Sequence, residues 1–388
     1  MGKTLGSLFD GSGGFPLAGT INGITPMWAS EIEPYPIRVT KARLPDMKHL
    51  GSVLDINGAE IDPVDVVTFG SPCQDLSVAG KQKGIRDGER SNLFFEAIRI
   101  IKEMRANDRD NPGPVDYIRP RFAVWENVPG AFSSNKGQDF RAVLQAFCEV
   151  CDINAHVPEP EKGRWGQSGC IVGDGYSIAW RVYDAQYWGV PQRRKRIYLI
   201  ADFASERAGE ILFERESLRW HPAKSGEPEQ GVTQCTASGI GRSGEAVYCL
   251  QGNGIDRALT AGCNGKGWRE NECYTLNTID RPAVVFGKEL YNSGVGCTGG
   301  HYVAENGPAP TLRTSAPPGV ANDYIVRRLT PLECCRLQGF PDWWEDGVEG
   351  SDSARYKMWG NGIALPCAVD VLRRISKALQ MEGLIKTC

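Results

Sequence analysis

The chain has 388 residues, 41% hydrophobic and 23% charged, with a formal net charge of −3, an ordinary soluble composition for one large domain with a smaller one attached. No apolar run approaches the roughly 18 residues of a membrane span, and the opening MGKTLGSLFDGSGG lacks the apolar core of a signal peptide, so a cytoplasmic protein is expected. The near-neutral charge does not advertise a nucleic-acid binder, although four cations crowd into QRRKR at 192–196.

From residue 4 to about 202, strand-like and helix-like runs alternate in the order TLGSLF, PMWASEI, DVVTFG, FFEAIRIIKEM, RFAVWENV, FRAVLQAFCEV and RIYLIADF. That alternation predicts an α/β domain on a mainly parallel sheet, with functional residues at the carboxyl ends of the strands. From about 206 to 326 the texture becomes rich in Gly, Thr, Asn and Ser, which predicts short strands and long loops rather than a self-sufficient core. RALTAG, CYTLNT and APTLRT hint at a weak repeat there. After about 352 a helical pattern returns in LPCAVDVLRRISKALQ, and it is expected to pack back against the first domain.

The thirteen cysteines are scattered, odd in number and without an export signal, so they read as reduced thiols. Cys148 and Cys151 make one C-x-x-C without a second ligand pair, and the chain has only four histidines, so no metal site is expected.

LFDGSGGFPLAG places a glycine-rich turn between a strand and a helix, where backbone amides can approach a ligand closely. Glu31, about twenty residues on, stands where an acid can bind the two hydroxyls of a ribose, and Asp55 in GSVLDI could face an adenine amino group. Together they point to an adenosine-containing cofactor. In GSPCQDLSVAGKQKG, Pro72 fixes the backbone ahead of Cys73 and small neighbours leave the thiol uncovered, at the end of a predicted strand. A free thiol is only a few per cent ionised near neutrality and needs help to act as a nucleophile. Glu126 in AVWENVPG offers an acid, and Arg194 with Arg196 can bind a carbonyl oxygen or a phosphate; alternatively these three are a capping residue and surface ion-pair partners.

In order, FDGSGG, Glu31, Asp55, GSPCQ, ENV, QRRKR, RRLTPLECCRLQGFP and GNGIALP resemble the motifs of the DNA (cytosine-5) methyltransferases. The resemblance covers the first domain and the C-terminal return and is weak between about 206 and 320. It implies an S-adenosylmethionine-dependent, Rossmann-like catalytic domain (1–205), a smaller, mostly-β target recognition domain with its hinge (206–351), and a C-terminal segment (352–388) returning to the first. It also implies a double-stranded DNA substrate whose cytosine is flipped out of the stack, attack by Cys73 on carbon 6, proton sharing by Glu126 with ring nitrogen 3, and a base oxygen held by Arg194 with support from Arg196.

For S-adenosyl-L-methionine, Phe9 would stack on the adenine, Gly11 and Gly13 leave room for the methionine portion, Glu31 take the ribose, and Asp55, Ile56 and Pro72 line the pocket with Asn361. Gln74, Ser77 and Lys81 resemble a loop that closes over DNA, and Thr311 with Leu312 resemble the pair beside the flipped base, with Thr275 and Leu276 as the rival pair. Asp10 stands where the family often carries a small residue, and Gly362 replaces a frequent serine. A monomer is the simplest arrangement, with any cognate restriction endonuclease encoded separately. Two other readings remain: a transfer-RNA methyltransferase of the same architecture, against which the long Gly/Thr-rich insert argues, and a catalytically silent DNA-binding relative, against which Cys73, Glu126 and Arg194 argue.

Overall fold

Val66–Phe69 and Phe122–Asn127 are buried along their whole lengths, as strands covered on both faces must be. They are β4 and β5 of a computed structural model that describes residues 2–71, 93–213, 248–250, 268–270, 272–276, 283–287 and 324–385. The other strands of the main sheet are β1 (Lys3–Leu8), β2 (Ile24–Ser30), β3 (Lys48–His49), β6 (Ser168–Gly173), β7 (Tyr176–Asp184) and β8 (Lys195–Asp202). Their spatial order is β3-β2-β1-β4-β5-β8-β7-β6.

The sheet is parallel from β3 to β5 and antiparallel through β8, β7 and β6. It is therefore less uniformly parallel than the alternation of elements predicts. The cause is visible at Asp174-Gly175, where Gly175 with φ +74° turns β6 directly into β7, so no crossover helix intervenes.

Helices cover both faces because the strands alternate. Phe122 and Val124 of β5 pack with Phe15 and Ala18 of α1 (Gly14–Ile21) and with Val371, Leu372 and Ile375 of the C-terminal helix Leu365–Ile385. Ala123 and Trp125 face the other way, onto Phe94 and Ile101 of α3 (Leu93–Asp110) and Phe140 and Val143 of α4 (Gln138–Cys148). Gly6 is required by close packing, since a Cβ there would lie 2.1 Å from the Trp28 ring.

The remaining helices close the N-terminal and C-terminal parts over one another. They are α2 (Pro34–Arg43), α5 (Ala208–Phe213), α6 (Pro331–Leu337), α7 (Asp352–Asn361) and α8, the Leu365–Ile385 helix. Thr330 and Glu333 form a reciprocal capping box that starts α6. Leu329, Cys334, Cys335, Phe340 and Trp344 then join the same core cluster as Leu5 and Phe15. Ala208 and Leu212 join it too, as do Cys249, Cys273 and Leu276, so this one cluster draws residues from both sides of the expected boundaries at 205 and 351. Between them, β9 (Tyr248–Leu250), β10 (Trp268–Glu270), β11 (Ala283–Gly287) and β12 (Tyr324–Arg328) form a second, antiparallel sheet in the order β10-β9-β11-β12. No helix of the described residues is long and apolar enough to cross a membrane.

Buried Glu345 ties α2 to α7: its carboxylate accepts from Tyr35 Oη at 2.7 Å, Trp359 Nε1 at 2.9 Å and Arg355 Nε at 3.1 Å. Under the turn after β1, Asp10 accepts from Ser7 Oγ at 2.8 Å, while its Oδ2 is buried without a hydrogen-bond partner. Burial pushes the Asp10 carboxyl up to about 8, with Glu31 adding to the shift and the Ser7 bond opposing it.

Glu345→Ala strands two buried donors and a cation, and is expected to lower unfolding free energy by about 3–5 kcal/mol in urea titrations; a loss under about 1 kcal/mol would deny it this role. For Asp10, the folded carboxyl keeps its proton up to about 8 while the unfolded one titrates near 3.8, so stability should fall as pH rises through that interval. Asp10→Asn is expected to flatten the fall in denaturation midpoint between those pH values, and an unchanged slope would count against a neutral Asp10.

Candidate active site

Two strand ends meet at the carboxyl edge of the sheet. β4 stops at Phe69, and Ser71 is then held from β5: Trp125 Nε1 donates to Ser71 Oγ at 3.1 Å and Asn127 Nδ2 to Ser71 O at 3.1 Å. Between Trp125 and Asn127 stands Glu126, whose Oε2 lies 3.4 Å from where a Gly70 Cβ would be. A side chain at 70 would therefore press on this carboxylate. Glu126 is 8% exposed, and burial raises its pKa against the opposing pull of Arg196 and Arg194. Arg196 Nε lies 3.1 Å from Glu126 Oε1, but Oε1 has no aligned hydrogen bond. The arrangement is a carboxyl that can hold or release a proton beside a cation, against Gly70, three positions before Cys73 in the sequence. Cys73 itself, with Pro72, Gln74, Ser77 and Lys81, lies outside the described residues, as do Thr311 and Leu312.

The two arginines have different partners. Arg194 is buried, its Nη1 donates to Leu276 O at 3.2 Å and its Nη2 donates to Gly362 O. Burial, then the neighbouring Arg196 charge, pushes its pKa down to about 9. Two of its donors are turned to backbone carbonyls of two distant segments and its Nε is buried without a hydrogen-bond partner, whereas the guanidinium paired with Glu126 belongs to Arg196. The rival pair Thr275–Leu276 sits at the same junction: Thr275 Oγ1 donates to Arg193 O, and Leu276 is buried.

On the other side of β4, the glycine-rich turn follows β1. Phe9 takes φ +54°, unusual for a bulky residue and a sign of a constrained turn, and Gly11 and Gly13 take +55° and +79°. A Cβ on Gly11 would meet no atom within 4 Å, so open space borders the turn, whereas one on Gly13 would lie 2.7 Å from Thr40 Cγ2. Glu31, at the end of β2, accepts from Gly11 N at 2.7 Å through Oε2, and from the Ile32 and Glu33 amides at 2.8 Å through Oε1. Each oxygen has lone-pair capacity for a further donor. Asp55 is exposed and Ile56 buried at the end of a one-turn helix, Val53–Asp55. Asn361 is exposed at the end of α7, and the following Gly362 abuts the turn, since a Cβ there would lie 3.0 Å from Ser12 Oγ. That contact explains the glycine at 362: with Ser12 opposite, a serine at 362 would be crowded.

An open glycine turn, a fixed carboxylate and the orphaned buried Ser12 Oγ are consistent with a polar ligand at the turn. Sequence reasoning passed over Ser71, Trp125 and Asn127, whose anchoring role needs tertiary contacts to be seen. It also passed over Ile32 and Leu54, which are 69% and 60% exposed beside Glu31 and Asp55. Large apolar side chains left in solvent next to two candidate ligands were the available signal.

A family model described as C-5 cytosine-specific DNA methylase matches residues 4–151 and 172–377. A DNA N-6-adenine-methyltransferase of Escherichia phage P1 is 28% identical over 93% of this chain and 60% of that protein, so the chain spans about three fifths of this relative's length. The Type II methyltransferase M.HpaII of Haemophilus parainfluenzae is 26% identical over 96% of this chain and 88% of its own. The crystal structure of the S. pombe Dnmt2 methyltransferase shares the fold with a TM-score of 0.56 at 16% identity, covering 98% of this chain and 99% of that one. The matched segments contain the glycine turn, Glu31, Glu126, Arg196 and the C-terminal return, and the chain belongs to the C-5 cytosine-specific DNA methylase family.

Proposed function

We propose that the chain methylates carbon 5 of a cytosine in double-stranded DNA, with Cys73 as nucleophile, Glu126 as proton partner and Arg196 as holder of the base oxygen. The observation that carries this reading is the buried Glu126 carboxyl beside Arg196, against Gly70, three positions before Cys73. A base stacked in a duplex hides its ring atoms, so the cytosine must leave the stack to reach this edge.

The Cys73 thiolate forms a bond to carbon 6 while the π pair of the 5,6 double bond moves into the ring. Glu126, whose pKa burial raises, donates its proton to nitrogen 3 and neutralises that charge as it develops. Arg196 lies close enough to Glu126 to engage the adjacent carbonyl oxygen. S-adenosylmethionine, when bound, supplies an electrophilic methyl group to carbon 5. Loss of the carbon-5 proton then restores the double bond and expels Cys73. Phe9, Gly11, Gly13, Glu31, Asp55 and Ile56 would hold the cofactor, with Pro72 and Asn361 closing its pocket.

Arg194 is assigned a positioning role, and Thr275–Leu276 is favoured over Thr311–Leu312 as the pair nearest the base because of its contacts with Arg193 and Arg194. The target-reading module would span about 214–328, between α5 and Leu329, with Cys249, Cys273 and Leu276 packing it onto the core. One chain brings Glu126, Arg196 and the glycine turn together, which supports a monomer. The Type II relatives support a cytoplasmic modification enzyme with a separately encoded endonuclease.

The phage P1 relative's name raises a second reading, methylation of an adenine amino group. That nitrogen would attack the methyl donor directly and needs no thiol. Conversion-resistant cytosines at one short sequence are expected in plasmid DNA from expressing cells, and Cys73→Ser is expected to abolish them while cofactor binding in calorimetry persists. Duplex DNA containing 5-fluorocytosine is expected to trap a covalent adduct at Cys73, because fluorine cannot leave as a proton does. N6-methyladenine with no trapped adduct would replace the cytosine reading, and wild-type methylation by the serine variant would end the proposed mechanism.

A further inference from the structure

Beyond the carboxyl end of β5, the chain does something costly. Asn135 and Lys136 take φ/ψ of +48°/+45° and +54°/+38°, and Gly137 follows at φ +79°. Three successive left-handed residues are unusual, because only glycine enters that region without a steric penalty. A second loop repeats the feature: Lys162 takes +51°/+29°, followed by Gly163 at φ +68°.

These two loops touch. A Cβ on Gly163 would lie 3.4 Å from Lys136 Cβ, and one on Gly137 would lie 2.8 Å from Pro160 Cγ. Trp165 fastens them, donating from Nε1 to Gly137 O at 2.9 Å and from its backbone N to Phe132 O at 3.1 Å. Lys136, Lys162 and Arg164 are all exposed. The carboxylates nearby are largely engaged elsewhere: Glu159 pairs with Arg141 at 3.3 Å and Asp139 accepts from Ser134 Oγ at 2.5 Å, leaving Glu161 as the exposed acid of the second loop. Among the described residues, none of the three cations has an ion-pair partner.

Glycine would satisfy both left-handed positions at lower cost, so two lysines there call for a use of their charge. We propose that Lys136 and Lys162, on two loops of fixed backbone, form a pair of cations that grips the DNA backbone phosphates beyond the carboxyl end of β5. The fixed backbone sets where both lysine side chains start on adjoining loops, so only the side chains are left to order when the duplex arrives. Phosphate contacts of this kind set register and orientation, and carry no sequence information. The inference rests on the duplex-DNA reading of the site.

The test compares wild type, Lys136→Gly/Lys162→Gly and Lys136→Arg/Lys162→Arg. Binding of a short labelled duplex is titrated over a salt series, and thermal midpoints and methylation by each protein are measured alongside. Each phosphate neutralised contributes about 0.9 to the slope of log affinity against log salt, so the glycine pair is expected to flatten the slope by about 1.8. The arginine pair should restore the slope. Because glycine is at ease at φ > 0, the thermal midpoint of the glycine pair should not fall, which separates lost contacts from lost folding. An unchanged slope in a protein that still methylates DNA would overturn the clamp and leave the proposed activity standing. Absence of duplex binding by the wild type would overturn both.

Discussion

A guanidinium buried among carbonyl oxygens holds the parts of this molecule in register. Arg194 leaves the sheet just before β8 and donates to Leu276 O in the segment that carries the second sheet, and to Gly362 O at the junction of α7 and α8. Taking a cation out of water is expensive, and its pKa is pushed down to about 9 by that burial. The charge is tolerated because it meets oxygens from two other parts of the chain. Removing the side chain would leave those carbonyls without donors, at a junction where the catalytic sheet, the second sheet and the C-terminal return all meet.

Around that junction the local chain is fixed from several sides. Asp184 Oδ1 accepts from Arg194 N at 3.2 Å, Arg193 Nε pairs with Glu272 Oε1 at 2.7 Å, and Cys273 N donates to Pro191 O at 2.9 Å. Arg196, two residues on and on the same face of the strand as Arg194, is thereby placed beside Glu126. Arg196 at 3.1 Å, without good alignment, offsets only in part the burial that raises the Glu126 pKa.

The strands, the helices of both faces and the edge that bears the chemistry were legible because buried parallel strands read as short apolar runs and their polar residues cluster at one end. Three things were not. The antiparallel half of the sheet hides in Asp174-Gly175, a hairpin signal submerged in a loop-rich stretch. The return of the chain to the core near Leu329 depends on Phe340 and Trp344 finding Phe15 and Leu17 over three hundred residues away, a pairing that no local period encodes. The burial of Arg194 was also out of reach, since QRRKR shows the charges and not which of them is buried.

The same distinction bears on how the site is built. Its chemistry comes from residues at strand ends, but their placement comes from groups that do no chemistry themselves. Trp125 and Asn127 flank Glu126 on β5, and both bind Ser71 on the neighbouring strand's exit. Residues i and i+2 of a strand share a face, so Trp125 and Asn127 lie together opposite Glu126. A single strand therefore presents the carboxyl on one side while clamping Ser71 with the other. A one-residue slip of β5 against β4 would exchange the two faces, moving the acid into the apolar layer of α3 and α4 and releasing Ser71. The register Phe69↔Trp125 is thus a catalytic specification as well as a structural one.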